Sequence, residues 1–222
     1  MTLSNLWTFL KELHLNRESV GAIAPSSPLL GKALCKYINL EKGCKTVMEI
    51  GPGTGTITQQ IVECLRPGDK LHLVELNPQF CDFLFELSKT KWSKMLDGVD
   101  FNVYCCPMED FPEDQKYQFL VSSLPLNNFD YELVRSILQS YKHFLQPGGK
   151  LSYFEYLAAR KMRKVLSKVK GDHDGLQTCH LLEEFIKNFQ LEYDEVIMNF
   201  PPAVARHFSF KPDQLSSFSV EI

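Results

Sequence analysis

Short apolar runs alternate with longer amphipathic stretches along most of this chain. The short runs are rich in β-branched and aromatic residues, which is typical of strands. In the longer stretches, apolar residues recur at helical spacing. Strands are predicted at 46–50, 70–76, 99–106, 117–124 and 150–156, and helices at 57–65, 78–92 and 130–145. This alternation predicts crossover helices that join parallel strands.

The end of the chain has a different pattern. A helical stretch at 178–189 precedes two further predicted strands, 192–200 and 204–210, which are joined through Pro-Pro-Ala. Such a pair can form an antiparallel hairpin at one edge of the sheet. The predicted fold class is α/β: a Rossmann-like, seven-stranded, mostly parallel sheet with helices on both faces and a C-terminal antiparallel hairpin, preceded by N-terminal helices.

About 40 residues precede the first strand, which is room for two helices. Ser27 and Pro28 are typical of an N-cap and of the first residue of a helix. We therefore predict an N-terminal helical segment over 1–40 and the main domain over 41–222.

Composition excludes some classes of protein. The 222 residues carry a formal net charge of −3, which argues against a domain dedicated to the phosphate backbone of nucleic acid. The N-terminus lacks the pattern of a signal peptide, and no apolar run is long enough for a membrane span, so we expect a cytoplasmic protein. Seven cysteines contain no C-x-x-C pair, and the histidines have no ligand spacing, so no metal site is predicted.

The stretch EIGPGTG contains glycines at alternate positions, Gly51, Gly53 and Gly55, directly after the first predicted strand. A dinucleotide-binding fingerprint would need a glycine where Thr56 stands, and a phosphate-binding P-loop would need a Gly-Lys pair that is absent. Glycine also lets a backbone pass close to a flat nucleoside. The loop therefore favours a nucleoside ligand.

Acidic residues lie at or just after the carboxyl ends of the first three predicted strands. Glu49 lies just before the glycines and can meet a cationic amino group. Glu75, followed by Leu76, lies at the end of the second strand, where a carboxylate can accept hydrogen bonds from ribose hydroxyls. After the third strand, an apolar residue and two acids are placed to meet an adenine ring and its amine: Met108, Glu109 and Asp110.

Together with the turn LQPGGKL before the fifth strand, these features resemble class I S-adenosylmethionine-dependent methyltransferases over nearly the whole chain. The resemblance implies S-adenosyl-L-methionine as cofactor and S-adenosyl-L-homocysteine as product. Ser122, at the end of the fourth strand, joins the predicted cofactor-binding residues.

The acceptor segment of this family follows the fourth strand, and here it is SSLPLNNF. Methyltransferases that act on adenine carry an aromatic residue where Leu126 stands, and leucine cannot stack on a base. With VGAIAPSSPLLGKAL and NFPPAVARHF, the segment resembles bacterial phospholipid N-methyltransferases; ribosomal RNA adenine dimethyltransferases are similar as well. The resemblance implies methylation of phosphatidylethanolamine. Alternatives are adenine N6 of RNA, a small amine, or a cofactor-binding protein without catalysis.

An alkylammonium acceptor must lose a proton before it attacks, and a quaternary product favours aromatic walls. Candidate groups lie after the fourth strand and at the end of the fifth: Ser123, Tyr153, Glu155 and Tyr156. Asn127 and Asn128 are predicted to cap the next helix.

Two segments have the composition of membrane-surface helices. In 3–14, leucines at helical spacing accompany Trp7 and Phe9. Residues 159–173 form a strongly basic amphipathic segment, which would suit anionic lipid or RNA. We therefore expect a phospholipid surface as a partner, in preference to nucleic acid.

Overall fold

A computed structural model describes residues 27–112 and 114–211. The predicted N-terminal helix at 3–14 lies outside this range. Seven strands form one sheet in the order β3-β2-β1-β4-β5-β7-β6. Their bounds are β1 Thr46–Ile50, β2 Lys70–Glu75, β3 Asp100–Cys105, β4 Tyr117–Ser122, β5 Leu145–Tyr156, β6 Gln190–Val196 and β7 Ala203–Phe208.

The helices of the described residues are α1 Pro28–Leu34, α2 Lys36–Leu40, α3 Thr56–Val62, α4 Pro78–Lys89, α5 Tyr131–Phe144, α6 Ala159–Lys170 and α7 His173–Phe189. Short 3₁₀ turns span Met108–Asp110 and Leu126–Asn128. Ser27 caps α1 by accepting a hydrogen bond from the Leu30 amide, and Pro28 is its first residue, as predicted.

Strands β1 to β5 pair in parallel, β7 runs antiparallel to β5, and β6 runs antiparallel to β7. The predicted mostly parallel sheet and its C-terminal hairpin are thus confirmed. The fifth strand starts earlier than predicted, because Leu145 already pairs with Tyr117 and the Gln-Pro-Gly-Gly turn is included within β5 as a register shift. Gly148 supplies the positive φ of that turn, +78°.

The core has two parts, one on each face of the sheet. On one face, side chains of α5 and α7 pack against residues such as Leu120 and Tyr153. On the other face, side chains of α1, α3 and α4 pack against residues such as Val47 and Leu73. Leu30 and Leu34 of α1 are among them, so the described part of the 1–40 segment packs on the sheet.

The chain reverses its direction of travel across the sheet between β1 and β4. From β1 it proceeds through β2 to the β3 edge, and it then returns to place β4 on the other side of β1. Ligands of open α/β sheets bind at the carboxyl ends of the strands at such a reversal. The glycine loop follows β1 and the acceptor segment follows β4, so this topology places the two predicted halves of the site side by side.

Candidate active site

The glycine loop turns sharply out of β1. Gly51, Gly53 and Gly55 have φ values of +69°, +57° and +76°, a region that other residues seldom adopt. The Gly51 amide donates a hydrogen bond to the Val74 carbonyl, which fixes the loop to the end of β2. The predicted need for glycine at each position therefore has a backbone reason.

The three glycines differ in what surrounds them. A Cβ at Gly51 would lie 2.5 Å from a methyl group of Leu124, and one at Gly55 would lie 2.8 Å from the Trp92 ring. A Cβ at Gly53 would have no atom within 4 Å. Two glycines thus permit close packing within the protein, while the middle one borders open space.

Glu49 is completely buried at the end of β1. It accepts hydrogen bonds from the Thr58 hydroxyl, 2.6 Å from Oε2, and from the Ser123 hydroxyl, 3.3 Å from Oε1. Burial raises the pKa of this carboxyl to about 8, although the two hydrogen bonds favour the ionised form. A cation that entered this site would stabilise the carboxylate and release its proton.

Glu75 lies at the end of β2 and is almost completely buried. The amide of Gly53 donates to its Oε2 and the amide of Asn77 to its Oε1, each at 2.9 Å. Burial raises the pKa of Glu75, and these backbone hydrogen bonds oppose the rise. The carboxylate therefore holds the glycine loop in place, and each oxygen retains capacity for a hydroxyl donor.

The predicted adenine end has one buried and two exposed residues. Met108 is buried in the 3₁₀ turn after β3, and Glu109 and Asp110 are exposed there. Glu109 accepts a hydrogen bond from the Ser136 hydroxyl. Leu76 is half-buried beside Glu75. Contact of these four residues with an adenine base stays a prediction.

The acceptor segment after β4 is held in place by several hydrogen bonds. The Ser122 hydroxyl is buried, hydrogen-bonds the Tyr141 hydroxyl and accepts from the Leu124 amide. The Ser123 amide donates to the Ile50 carbonyl, so this segment is fixed to the end of β1. Leu126 is buried, with 2% of its surface exposed. Ser123 alone of the four predicted catalytic residues lies against the glycine-loop half of the site.

The other three predicted catalytic residues have separate surroundings. Tyr153 is buried and stacks on Phe208, and burial raises its pKa. Tyr156 is half-buried and packs with the opposite core, edge-on to Phe154. Neighbouring strand residues alternate between faces, so the two tyrosines do not share one pocket. Glu155 lies within an ion cluster.

This cluster joins β5, β7, α6 and the acceptor segment. Glu155 Oε1 lies 2.6 Å from both Nε and an Nη atom of Arg206, and 3.5 Å from Arg160. Its Oε2 accepts a hydrogen bond from the Asn127 side chain at 3.2 Å. Arg163 donates to the Asn127 carbonyl. The acceptor segment is therefore tied to α6 and β5 by buried polar contacts.

Sequence reasoning missed this cluster. Asn127 was predicted to cap α5, but Asp130 does so by accepting a hydrogen bond from the Leu133 amide, because it directly precedes the helix. Arg160 and Arg163 belong to the basic amphipathic segment predicted to face lipid or RNA, but both turn inward. The two arginines are three residues apart, which places them on the same side of a helix, and this spacing was the available sign of a shared contact.

Among residues 27–112 and 114–211, no group of side chains could hold a metal ion, and no helix is long and apolar enough to cross a membrane. The open space at Gly53, with the buried carboxyl groups of Glu49 before the glycine loop and Glu75 at the end of β2, has the chemistry to hold a nucleoside that carries a cationic amino acid. Glu49 would meet the amino group and Glu75 the ribose.

Comparisons with known proteins identify the family of this chain. Residues 26–162, more than half of the chain, match the family model of ribosomal RNA adenine dimethylase. An ornithine lipid N-methyltransferase of Singulisphaera acidiphila is 27% identical over 153 residues, which cover 66% of this chain and 76% of that protein.

Solved methyltransferase structures share the fold. An O-methyltransferase of Bacillus cereus, in complex with S-adenosyl-L-homocysteine, has a TM-score of 0.62 at 13% identity, covering 91% of this chain and 90% of its own. The N-methyltransferase NodS of Bradyrhizobium japonicum has a TM-score of 0.57 at 16% identity, covering 82% and 94%. The chain therefore belongs to the ribosomal RNA adenine dimethylase family and is a class I methyltransferase that uses S-adenosyl-L-methionine.

Proposed function

We propose that this enzyme methylates the amine of an aminolipid, with phosphatidylethanolamine as the expected acceptor, at a membrane surface. The observation that carries the proposal is the identity and burial of Leu126 in the acceptor segment. A nucleobase acceptor gains about 1–3 kcal/mol from stacking on an aromatic side chain. Leu126 offers no ring, so the segment suits an aliphatic amine better than adenine.

The similarity to an ornithine lipid N-methyltransferase supports an acceptor of this kind. That relative is named for an aminolipid, and the match covers about two thirds of this chain. The family model favours adenine in ribosomal RNA as the competing acceptor. The difference at Leu126 is the reason to prefer the lipid.

Methyl transfer requires that the acceptor amine is aligned with the methyl group and that it loses a proton. S-adenosyl-L-methionine supplies a methyl group on a sulfonium, which already leaves readily. Ser123 and the Leu124 carbonyl lie at the end of β4, where they can hold an amine in line with the methyl group. Among the predicted catalytic residues, Ser123 has a hydroxyl that also contacts Glu49, and that carboxylate could accept the proton through it.

Acceptor class can be tested in one assay. The protein is incubated with methyl-labelled cofactor and, in separate reactions, phosphatidylethanolamine vesicles, ribosomal RNA that lacks adenine methylation, and free ethanolamine. We expect label in the lipid fraction only. Label in RNA alone would overturn the lipid proposal, and label in ethanolamine at a similar rate would replace it with a small-amine methyltransferase.

A matched variant sharpens this assay. Ser123→Ala should lower lipid methylation by at least about tenfold, since a positioned hydrogen-bonding group is removed from the acceptor. Ser209→Ala, whose hydroxyl donates to the Gly149 carbonyl in the amino-terminal half of β5, is the control and should keep wild-type activity. Equal activity of both variants would remove Ser123 from the proposed role.

A further inference from the structure

Helix α6 packs with its polar side inward. Arg160 contacts Glu155, Arg163 donates to the Asn127 carbonyl, and Lys164 pairs with Glu183 of α7 at 2.8 Å. Ser167, the buried residue of α6, donates to Asp172. The inward face is thus made of charged and hydroxyl groups, which is the reverse of an ordinary surface helix.

The outward side of α6 is apolar. Met162, Val165, Leu166 and Val169 are between 51% and 80% exposed, and they recur at the spacing of one helical stripe. Monomeric proteins seldom leave a contiguous patch of this kind in water.

The tip of the β6–β7 hairpin, beside the start of α6, exposes three further apolar side chains. Ile197, Met198 and Phe200 are 66%, 82% and 76% exposed. The Leu157 amide, just before α6, donates to the Pro202 carbonyl, which places the tip beside the start of the helix. We call the outward stripe of α6 together with Ile197, Met198 and Phe200 the apolar face.

The hairpin tip is held rigidly by a buried residue between its exposed ones. Asn199 is 3% exposed; its side chain donates to the Pro201 carbonyl and accepts from the Ser27 amide at 2.9 Å. Its own amide donates to the Val196 carbonyl. Met198 and Phe200 therefore project from a fixed turn, which reduces the entropy lost when they enter another phase.

Positive charge borders the apolar face. Lys161, Lys168 and Lys170 are exposed on α6, and the helix contains no acidic residue. Each basic side chain near an anionic lipid surface contributes about 1 kcal/mol of attraction. The protein as a whole has a net charge of −3, so this local positive charge stands out against the general balance.

We propose that the apolar face docks on an anionic phospholipid bilayer, with Met198, Phe200 and the α6 stripe inserted among the lipid headgroups. This proposal rests on the lipid acceptor proposed above. Arg163 links α6 to the carbonyl of Asn127 in the acceptor segment, so a bilayer on the outer side of α6 lies next to the place where the amine must arrive. RNA is less suited to this surface, since the stripe consists of four large aliphatic side chains that can neither pair with phosphates nor stack on bases.

Vesicle flotation tests the docking surface. Two double variants are compared with wild type: Met198→Ser with Phe200→Ser at the tip, and Val165→Ser with Val169→Ser on α6. Phe83→Ser with Phe85→Ser on α4 is the control, because those phenylalanines are 47% and 51% exposed on a different helix. Far-ultraviolet circular dichroism and thermal melts check that each variant is folded.

With vesicles that contain phosphatidylglycerol, we expect the tip and α6 variants to bind at least about tenfold more weakly than wild type and the control to bind normally. Replacing Lys161 and Lys168 by glutamine should remove the preference for anionic over neutral vesicles. Unchanged flotation of both apolar variants would overturn the proposal.

Other occupants give different results. If wild type self-associates in sedimentation velocity and the tip variant does not, the apolar face binds a second copy and the proposal fails. It fails equally if the variants lose ribosomal RNA binding but still float with vesicles.

A soluble acceptor separates this proposal from the proposed function. Short-chain phosphatidylethanolamine, used as monomers, should be methylated equally by wild type and by the apolar-face variants. If wild type floats, the variants do not, and no lipid is methylated, docking stands and the acceptor proposal fails. If lipid is methylated and the variants float like wild type, the acceptor proposal stands and docking fails.

Discussion

The Ser123 hydroxyl donates a hydrogen bond to the Glu49 carboxyl, with 3.3 Å between Oγ and Oε1. Ser123 belongs to the acceptor segment after β4, and Glu49 precedes the glycine loop after β1. One buried carboxyl therefore joins the glycine-loop half of the candidate site to the acceptor half, and we expect its protonation state to affect ligand binding.

The first prediction concerns this proton. The pKa of Glu49 is raised to about 8 by burial, so the carboxyl is mostly protonated at pH 7 in the protein without ligand. S-adenosyl-L-homocysteine carries an ammonium group that favours the carboxylate. We expect its binding at pH 7 to release close to one proton, as measured by calorimetry in buffers of different ionisation enthalpy.

Glu49→Gln should bind the same ligand more weakly and release no proton. Thr46→Ser, at the start of the same strand, serves as the control. Proton release that is equal in wild type and in Glu49→Gln would show that another group is titrated.

A second prediction follows for stability. The folded pKa of Glu49, about 8, lies above its ordinary value of 4.5, so the folded state holds a proton that the unfolded state loses between these pH values. Its contribution therefore falls as pH rises from about 4.5 to about 8, by a few kcal/mol, and is constant above. Urea unfolding should show Glu49→Gln gaining stability relative to wild type between pH 5 and pH 8.5. A difference that does not change with pH would contradict the raised pKa.

The third prediction separates backbone strain from ligand contact. Gly53→Ala and Gly148→Ala both place a side chain at positive φ, +57° and +78°, and neither Cβ meets another atom within 4 Å. Each should lose about 1–2 kcal/mol of unfolding free energy. Only Gly53→Ala should also weaken binding of S-adenosyl-L-homocysteine, since its methyl group enters the predicted ligand space. Equal affinities would place the ligand elsewhere.

The fourth prediction concerns Glu75. Its carboxylate accepts the Gly53 and Asn77 amides, and hydrogen bonds to charged groups contribute about 1.5–3 kcal/mol. Glu75→Ala should therefore weaken cofactor binding by about ten- to a hundredfold in calorimetry. Glu86→Ala, exposed on the adjoining helix α4, is the matched control. Wild-type affinity in Glu75→Ala would refute its assignment to the cofactor site.

The succession of strands and helices along the chain and the glycine loop were predictable because they depend on local pattern. Apolar runs, turn glycines and the acids before and after them are close in sequence, and the parallel sheet brings strand ends to one edge. The predicted cofactor half of the site therefore depends on residues that are close in sequence, such as Glu49 and Gly53, and its ligand contacts stay a prediction.

The acceptor half depends on contacts between distant segments. Arg206 and Glu155 are 51 residues apart, and Arg163 is 36 residues from Asn127. Nothing in the composition of 159–173 showed that its arginines face inward and its apolar residues outward. Which side of an amphipathic helix is buried is decided by its neighbours, and here Glu155 and Glu183 decide it.

The last prediction addresses Glu155, which the sequence indicated as catalytic and which the structure places among arginines. Its carboxylate contacts Arg206 at 2.6 Å, and its side chain is 4% exposed. Removing one partner leaves a buried charge unpaired, so Glu155→Gln and Arg206→Ala should each lose about 3–5 kcal/mol of unfolding free energy. Glu132→Gln, in the exposed pair with Arg135, should lose less than about 0.5 kcal/mol.

Urea unfolding measures the loss of stability in these Glu155 and Arg206 variants, and methyl transfer per folded molecule at low temperature measures catalysis. A positioning role predicts a large loss of stability with a turnover that changes by only a few fold and a raised KM for the acceptor, because Asn127 is released. If Glu155→Gln instead remained as stable as wild type and lost turnover by orders of magnitude, Glu155 would act directly on the reacting amine.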